Sequence, residues 1–405
     1  MMRFVKRCLS VISPTMSRNL LSGIAASLVG VLVNGTYTVL LARTLEPNIL
    51  GGISSLFGMV ATIGLVSSAV QVSTSRAIAS PETPSNQRNQ RWTWARQVVW
   101  VGTFGAILWL VVSIRLAPEL KLRYMDVASI APLFVLTSAL AVELGKIHGS
   151  SRVVAWAVLG QVGSVLKLVF VGSAILVSKS VFSVTFGMTL AMSVTTLLTF
   201  SVSWKIETPT IRLLDKSFLV SCAGLGTYAA LTNLDVFLAR VLLDPHESGQ
   251  YAVLSLFYKT VVVILGVVGL VIFPKLASLR ALSESVNGKI RVATLGMTAI
   301  AFLVAYPLGL AGNRFVVPIL GSDYEPASSQ MILAAFVAIP WTGVYVAVYC
   351  RLVERTWRLS LVLLTSLTVA TATSVLKVEM FQGLLIWYGF VGLVSLLLLI
   401  VVPTH

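Results

Sequence analysis

Two residues of opposite charge, Asp235 and Lys259, interrupt long apolar stretches of the chain. Asp235 lies ten residues before Pro245, and Lys259 lies ten residues after Gly249, on either side of a predicted turn. At about 1.5 Å of rise per helical residue, both side chains would lie about 15 Å from that turn. A charge so deep in an apolar segment is costly and usually has a partner or faces water. The spacing therefore predicts that Asp235 and Lys259 form an ion pair or a charged gate.

A further cation, Lys167, lies inside another apolar stretch, with Gln161 and Ser164 toward the same side of the predicted helix. Its side chain could face an aqueous cavity. Alternatively, its long apolar stem could carry the ammonium group toward the membrane surface, or the ammonium group could pair with Glu143 on the preceding segment. The sequence leaves these alternatives open.

The composition indicates that the chain is an all-α polytopic membrane protein. Hydrophobic residues make up 57% of the 405 residues and charged residues only 11%, whereas charged residues make up about 25% of a soluble domain. Apolar runs of about 18 residues or more are long enough to cross a bilayer as helices. Twelve such runs are predicted, at 20–42, 51–79, 97–117, 127–145, 153–177, 181–203, 217–242, 250–273, 289–311, 328–350, 359–377 and 383–402.

The loops between these runs are short, which leaves no extramembrane domain for soluble-type catalysis. We therefore expect no enzyme activity and no cofactor, and the 3 Cys and 3 His residues show no metal-ligand spacing. The net charge of +15 is explained by membrane topology and by attraction to anionic lipids, without nucleic-acid binding.

Positive charge predicts the orientation in the membrane, because cytoplasmic loops retain Lys and Arg. With the N-terminus inside, 20 of the 30 Lys and Arg residues lie on the cytoplasmic side and 8 on the outer side. No signal-peptide cleavage pattern follows the basic N-terminal segment, so we expect the first helix to be retained. The predicted location is the cytoplasmic (inner) membrane, with multiple spans and both termini in the cytoplasm.

The sequence "LARTLEPNILGG" from Leu41 is nearly repeated as "LARVLLDPHESGQ" from Leu238. Six predicted helices separate the copies, and an even number gives both copies the same orientation. This predicts two six-helix bundles related by a pseudo-twofold axis along the membrane normal. The predicted divisions are an N-terminal bundle at 1–203, a cytoplasmic linker at 204–216 and a C-terminal bundle at 217–405. The shared residues are Arg43 and Arg240, Pro47 and Pro245, and Gly51 and Gly249.

These motifs resemble the polysaccharide biosynthesis or oligosaccharide flippase family of the multidrug/oligosaccharidyl-lipid/polysaccharide (MOP) exporter superfamily. The likeness covers nearly the whole chain and also includes "GKIHGSSR", "VIFPKLAS" and "ILGSDYEPASSQ". The resemblance implies a MATE-like fold in which a central cavity, walled mainly by the first, second, seventh and eighth helices, opens alternately to each side of the membrane.

Each of these four helices has one polar or small face at helical spacing, which fits either a cavity wall or tight helix packing. The resemblance implies a pyrophosphate-linked oligosaccharide as cargo, for which cations would bind the phosphates and neutral polar groups would bind sugar hydroxyls. The candidate cavity residues are Asn34, Thr62, Arg76, Tyr228, Asp235, Tyr258, Lys259 and Lys167.

The expected function is therefore the flipping of a lipid-linked oligosaccharide, carried on a polyprenyl pyrophosphate, with membrane lipids and the glycosyltransferases and polymerase of the same pathway as partners. The same fold also allows a multidrug or organic cation antiporter. A cation site would require buried acids, and Asp235 is the single acid near the predicted midplane. A membrane scaffold without transport activity is the third alternative.

Overall fold

The computed structural model describes residues 14–79, 91–150, 152–206, 216–281, 287–351, 357–374 and 381–401. Within these residues the chain is helical, which confirms the predicted fold class. The twelve long helices are α1 (Pro14–Thr44), α2 (Pro47–Ala79), α3 (Arg91–Glu119), α4 (Ala131–Gly149), α5 (Val153–Val177), α6 (Val181–Ser203), α7 (Lys216–Leu242), α8 (Pro245–Ala281), α9 (Asn287–Leu320), α10 (Met331–Arg351), α11 (Trp357–Ser374) and α12 (Phe381–Val401).

Each predicted apolar run overlaps one of these long helices. In the described part of the chain, nine helical segments are long and apolar enough to cross a membrane. They lie in α2, α3, α4 with the short helix Tyr124–Ala128 before it, α5, α6, α8, α9, α10 and α12. The protein is therefore a multi-pass membrane protein.

Several predicted runs are shorter than the helices that contain them, and the ninth shows why. The ninth predicted run ends at residue 311, but α9 continues through Arg314 and Pro318 to Leu320. Hydropathy falls at the arginine, yet an exposed arginine near a helix end reaches water and does not stop the helix. The fourth predicted run, at 127–145, lies within the apolar span Tyr124–Gly149, which contains the short helix Tyr124–Ala128, a turn and α4.

The helix contacts of the first half recur in the second half. α2 packs on α4 as α8 packs on α10, and α3 packs on α4 as α9 packs on α10. The pairs α4 with α6, α5 with α6 and α1 with α5 likewise recur as α10 with α12, α11 with α12 and α7 with α11. This recurrence matches the duplication that the sequence repeat predicts.

The most extensive contacts between the halves join α2 to α7 and α8. Gly58 of α2 allows α7 to approach closely, because a Cβ at this position would lie 2.9 Å from Cγ2 of Val236. One cluster of buried apolar residues extends through both halves. Most of the predicted linker lies outside the described residues, at 207–215, so the predicted domain boundaries stay a prediction.

Candidate functional site

The turns α1–α2 and α7–α8 position the predicted charge pair. Each turn spans two residues, Leu45–Glu46 and Leu243–Asp244, so the chain reverses direction within each helix pair. Asp235 lies 7 residues before the end of α7 and Lys259 lies 14 residues after the start of α8, so the two residues are not at equal distances from the turn as the sequence predicted. The predicted ion pair is present, with Nζ of Lys259 2.9 Å from Oδ1 of Asp235. The Asp235 side chain has 0% exposure and that of Lys259 has 26%.

Three hydroxyl groups of α8 complete the surroundings of the Asp235 carboxylate. Ser255 donates a hydrogen bond to Oδ2 at 2.6 Å, Tyr258 donates to the same oxygen, and Tyr251 lies 3.5 Å from it. These residues, with Asp235 and Lys259, are called the carboxylate cluster below. Charge-assisted hydrogen bonds to the ionised carboxylate offset the cost of its burial. The cluster therefore stabilises a carboxylate that carries its charge inside the second half.

The second polar cluster lies in the first half, between α1 and α5. Nζ of Lys167 donates a hydrogen bond to Oδ1 of Asn34 and lies 4.5 Å from the ring centroid of Tyr37. The Asn34 amide is fixed by donation to the carbonyl of Gly30 at 2.7 Å and lies 3.5 Å from Oγ of Ser164. Lys167, Asn34, Tyr37 and Ser164 are called the lysine cluster below.

The two clusters differ in charge. Within the described ranges, no carboxylate lies within 4 Å of the Lys167 ammonium group, whereas Asp235 neutralises Lys259. The alternative partner of Lys167, Glu143, instead pairs with Lys146 at 2.8 Å and accepts a hydrogen bond from Ser203. Pairing of Lys167 with Glu143 is therefore not observed, and in the described part of the chain Nζ of Lys167 contacts an amide oxygen and an aromatic ring.

The predicted cavity residues do not share one wall. Asn34, Lys167 and Lys259 are partly buried, but Tyr228, Asp235 and Tyr258 are buried in the second half, at 5%, 0% and 1% exposure. Tyr228 packs edge to face against Tyr345 of α10. In this conformation these three side chains contact protein, so their place in a cavity stays a prediction. The side chain of Arg76 lies outside the described residues.

Thr62 is the one predicted cavity residue that lines the cavity found between the halves. This cavity has a volume of about 420 Å³ and lies between α2, α3, α4 and α7. Apart from Thr62 and Asn233, its lining is apolar and includes the aromatic residues Trp109, Phe134 and Phe237. The side chains of Thr62 and Asn233 donate to carbonyls of their own helices, which leaves the cavity wall with few free polar groups.

Sequence analysis missed Tyr37 and Tyr251 as members of the two clusters. A signal for Tyr251 was present, because Tyr251, Ser255 and Tyr258 are spaced by four and three residues and so share a helix face. Tyr37 gave no comparable signal. It lies three residues after Asn34, and its role depends on the approach of α5, which the sequence of α1 does not encode.

Comparison with solved structures agrees with this architecture. The chain superimposes on an inward-facing multidrug resistance MATE family transporter of the MOP superfamily with a TM-score of 0.66 and 13% identity, over 93% of this chain and 96% of that one. An outward-facing transporter of the same description gives a TM-score of 0.57 at 15% identity, over 94% and 93% of the two chains.

A eukaryotic MATE transporter gives a TM-score of 0.63 at 12% identity, over 95% of this chain and 94% of that one. No protein-family model and no curated protein matches the chain by sequence. The chain therefore has a MATE-like fold, the fold of transporters of the MOP superfamily. At these identities, the likeness establishes the fold and leaves the cargo to be inferred from the two clusters.

Proposed function

We propose that this protein is an alternating-access transporter that flips a polyprenyl pyrophosphate-linked oligosaccharide across the cytoplasmic membrane. The fold supports the transport part of this proposal, because the solved proteins that share it are described as transporters. The proposed reaction makes and breaks no bond, and changes only the side of the membrane from which the cargo is accessible.

The proposed cargo is inferred from the positive charge of the lysine cluster. Lys167 is a cation in a membrane-spanning helix, and in the described part of the chain it has no carboxylate within 4 Å. Such a charge is costly in an apolar surrounding, and a pyrophosphate would offset that cost through charge-assisted hydrogen bonds. Asn34 holds the ammonium group in place through a neutral oxygen, which an incoming phosphate can replace.

An organic cation antiporter is the alternative that the solved relatives favour, since two of them are described as multidrug resistance transporters. A cationic cargo would need an acid that is free to receive it. Asp235 is fully buried, and Lys259 and three hydroxyl groups already contact its carboxylate. A lysine in the first half would repel such a cargo. The charges therefore favour an anionic cargo.

Reconstitution of the purified protein in lipid vesicles would test the proposal. The probes are a fluorescent polyprenyl pyrophosphate oligosaccharide and ethidium, and the measurement is the fraction of each that becomes accessible on the opposite leaflet or inside the vesicle. We expect protein-dependent movement of the first probe and none of the second. Movement of ethidium alone would establish the antiporter alternative.

A matched pair of variants separates specific binding from general attraction to the positively charged protein. We expect Lys167→Gln to reduce flipping at least tenfold and Lys179→Gln, at an exposed lysine between α5 and α6, to leave it unchanged. If the folded protein moves neither probe, the result would support the scaffold alternative. Binding of the protein to glycosyltransferases or to the polymerase of the pathway would then be measured.

The proposed orientation, with both termini in the cytoplasm, can be tested by labelling single cysteines from each side of the membrane.

A further inference from the structure

Arg240, the last arginine of α7, joins the second half to the first at the membrane face that holds the turns α1–α2 and α7–α8. This face, called the hairpin face below, is the predicted outer face. The Arg240 side chain is only 1% exposed. Its Nε donates to the carbonyl of Leu120 at 2.7 Å, and Nη2 donates to the carbonyl of Lys121 at 3.2 Å. Both carbonyls belong to the turn that directly follows α3. Nη1 also lies 3.2 Å from the carbonyl of Asn48, at the start of α2.

Arg43, the last arginine of α1, makes the reverse connection from the first half to the second. Its Nη2 donates to the carbonyl of Pro318 at 2.9 Å, and its Nε donates to the carbonyl of Ile319. Both carbonyls lie in the last turn of α9. The four terminal carbonyls of a helix have no partner within the helix, and a cation near them is favoured by the helix dipole.

These two connections are related by the internal repeat, with the two arginines one residue out of register. Pro47 and Pro245 define an offset of 198 residues, and at this offset Leu120 and Lys121 correspond to Pro318 and Ile319. Arg43 and Arg240, the arginines of the repeated Leu-Ala-Arg motif, are 197 residues apart, one fewer than this offset, and Arg43 is exposed whereas Arg240 is buried. Each half therefore provides one arginine and one pair of carbonyls to the other half.

The glycines of the same repeat lie where the two halves meet. A Cβ on Gly249, at the start of α8, would overlap the carbonyl oxygen of Pro47. A Cβ on Gly51, in α2, would overlap Oγ of Ser248 and lie 2.8 Å from the backbone nitrogen of Gly249. The absence of a side chain at both positions lets the first turns of α2 and α8 touch backbone to backbone. The repeated arginines and glycines thus act at the same contact.

We propose that Arg43 and Arg240 form a paired latch that keeps the hairpin face closed and releases it when the halves separate. The latch rests on the proposed alternating-access function, since only a protein that opens at this face needs one. It explains why each copy of the repeat has an arginine before its turn and a glycine after it: the two residues of each copy contact the other half.

The chemistry of the latch suits a contact that must open. Each guanidinium binds neutral carbonyls, and in the described residues neither arginine has a carboxylate within 4 Å. When the halves separate, water can replace the carbonyls, so the net cost per hydrogen bond is small. A buried ion pair would be much more costly to break. Several such bonds together still favour the closed face.

Distance measurements between spin labels on the two turns would test the latch without any cargo. The labels are placed at Glu46→Cys and His246→Cys, two exposed positions, in a background with Cys8, Cys222 and Cys350 replaced by Ala. Double electron–electron resonance in nanodiscs reports the populations of the closed and open hairpin face. We expect Arg43→Gln combined with Arg240→Gln to shift the ratio of open to closed molecules at least tenfold toward the open state.

Two arginines serve as matched controls. Arg115 on α3 and Arg314 on α9 are exposed and lie one to two turns before the carbonyls that the latch binds. We expect Arg115→Gln combined with Arg314→Gln, which removes the same net charge, to leave the distance distribution unchanged. An equal shift in this control would assign the effect to net charge and overturn the latch.

A glycine variant that keeps both arginines tests the latch independently, in case the double arginine variant fails to fold. We expect Gly249→Ala to open the hairpin face as well, because its Cβ requires the backbones to separate. Gly35→Ala, with no atom within 4 Å of its Cβ, should have no effect. Unchanged distances in both the arginine and the Gly249 variants would refute the latch. Failure of the vesicle assay with an intact distance shift would instead refute the proposed cargo and leave the latch in place.

Discussion

The Asp235 carboxylate receives the ammonium group of Lys259 at 2.9 Å from a neighbouring helix, and the two residues differ in exposure, at 0% and 26% of the side chain. This difference decides how the pair responds to substitution. Protein encloses the Asp235 side chain fully, whereas the Lys259 side chain is partly exposed. The acid is therefore the fixed member of the pair, and the lysine is the member that could move.

The first prediction concerns the stability of this pair. We expect Asp235→Asn to destabilise the protein by about 3 kcal/mol, because it leaves Lys259 without its counter-charge and weakens the hydrogen bonds from Ser255 and Tyr258. Lys259→Met should cost less, since three hydroxyl groups still surround the carboxylate. Thermal unfolding in detergent measures both. Asp126→Asn provides the control, because its partner Arg123 is 73% exposed and such pairs contribute about 1 kcal/mol or less.

The second prediction separates a static ion pair from a gate. In the double swap Asp235→Lys with Lys259→Asp, both charges persist but the acid moves to the partly exposed position. If the pair is a gate whose lysine moves, we expect the swap to fold and to lose transport. Transport that survives the swap but fails with either single neutralisation would make the pair structural.

The third prediction concerns selectivity at Lys167. We expect Lys167→Arg to retain flipping, because the cation and its donors persist, and Lys167→Glu to abolish it. If the charge of the lysine cluster selects the cargo, Lys167→Glu should also acquire measurable ethidium transport in the same vesicles. Equal flipping by the Glu and Arg variants would show that the charge at this position does not select cargo.

The fourth prediction concerns the buried pair Glu143 and Lys146 on α4. Both side chains are under 10% exposed, and Ser203 donates to the carboxylate. We expect Glu143→Gln to destabilise the protein by about 3 kcal/mol, because Lys146 loses its counter-charge. Replacement of both residues, with Glu143→Leu and Lys146→Met, should cost less than this single change. A larger cost for the double variant would mean that the charges themselves stabilise the fold.

The fifth prediction tests helix packing through glycine. Gly149 of α4 faces α2, where a Cβ would lie 2.6 Å from the carbonyl of Ser75, so Gly149→Ala should destabilise the protein by about 1–3 kcal/mol. Gly160 of α5 has no atom within 4 Å of the same position. Gly160→Ala should therefore be neutral or stabilise the protein by up to about 1 kcal/mol, through helix propensity alone. Unfolding temperatures of the two variants provide the comparison.

Much of the fold could be predicted from the sequence because lipid limits the choices. Backbone groups in a bilayer must be satisfied within each segment, so an apolar run of sufficient length becomes a helix. The repeat at Leu41 and Leu238 then indicated two halves with the same orientation. Helix ends were less predictable, as α9 shows, because hydropathy marks the edge of the membrane and not the end of the helix.

The pairing of Asp235 with Lys259 could also be predicted, since two opposite charges lie in apolar segments that a short turn joins, although they lie at unequal distances from that turn. The neighbours of Lys167 could not. Asn34 and Tyr37 lie about 130 residues away in the chain, and their contact depends on how α1 packs on α5. Periodicity gives the face of a helix but does not identify the helix that covers it.

The sequence by itself determined that the chain lies in a lipid bilayer, the number of long helices and the duplication. These follow from local composition and from distances along the chain. Only the tertiary structure showed which lysine has a carboxylate partner and which polar side chains are buried. It also showed that the repeated arginines bind the opposite half. Those properties depend on contacts between helices that are distant in sequence, where one close approach at a glycine or one carbonyl at a helix end determines the partner.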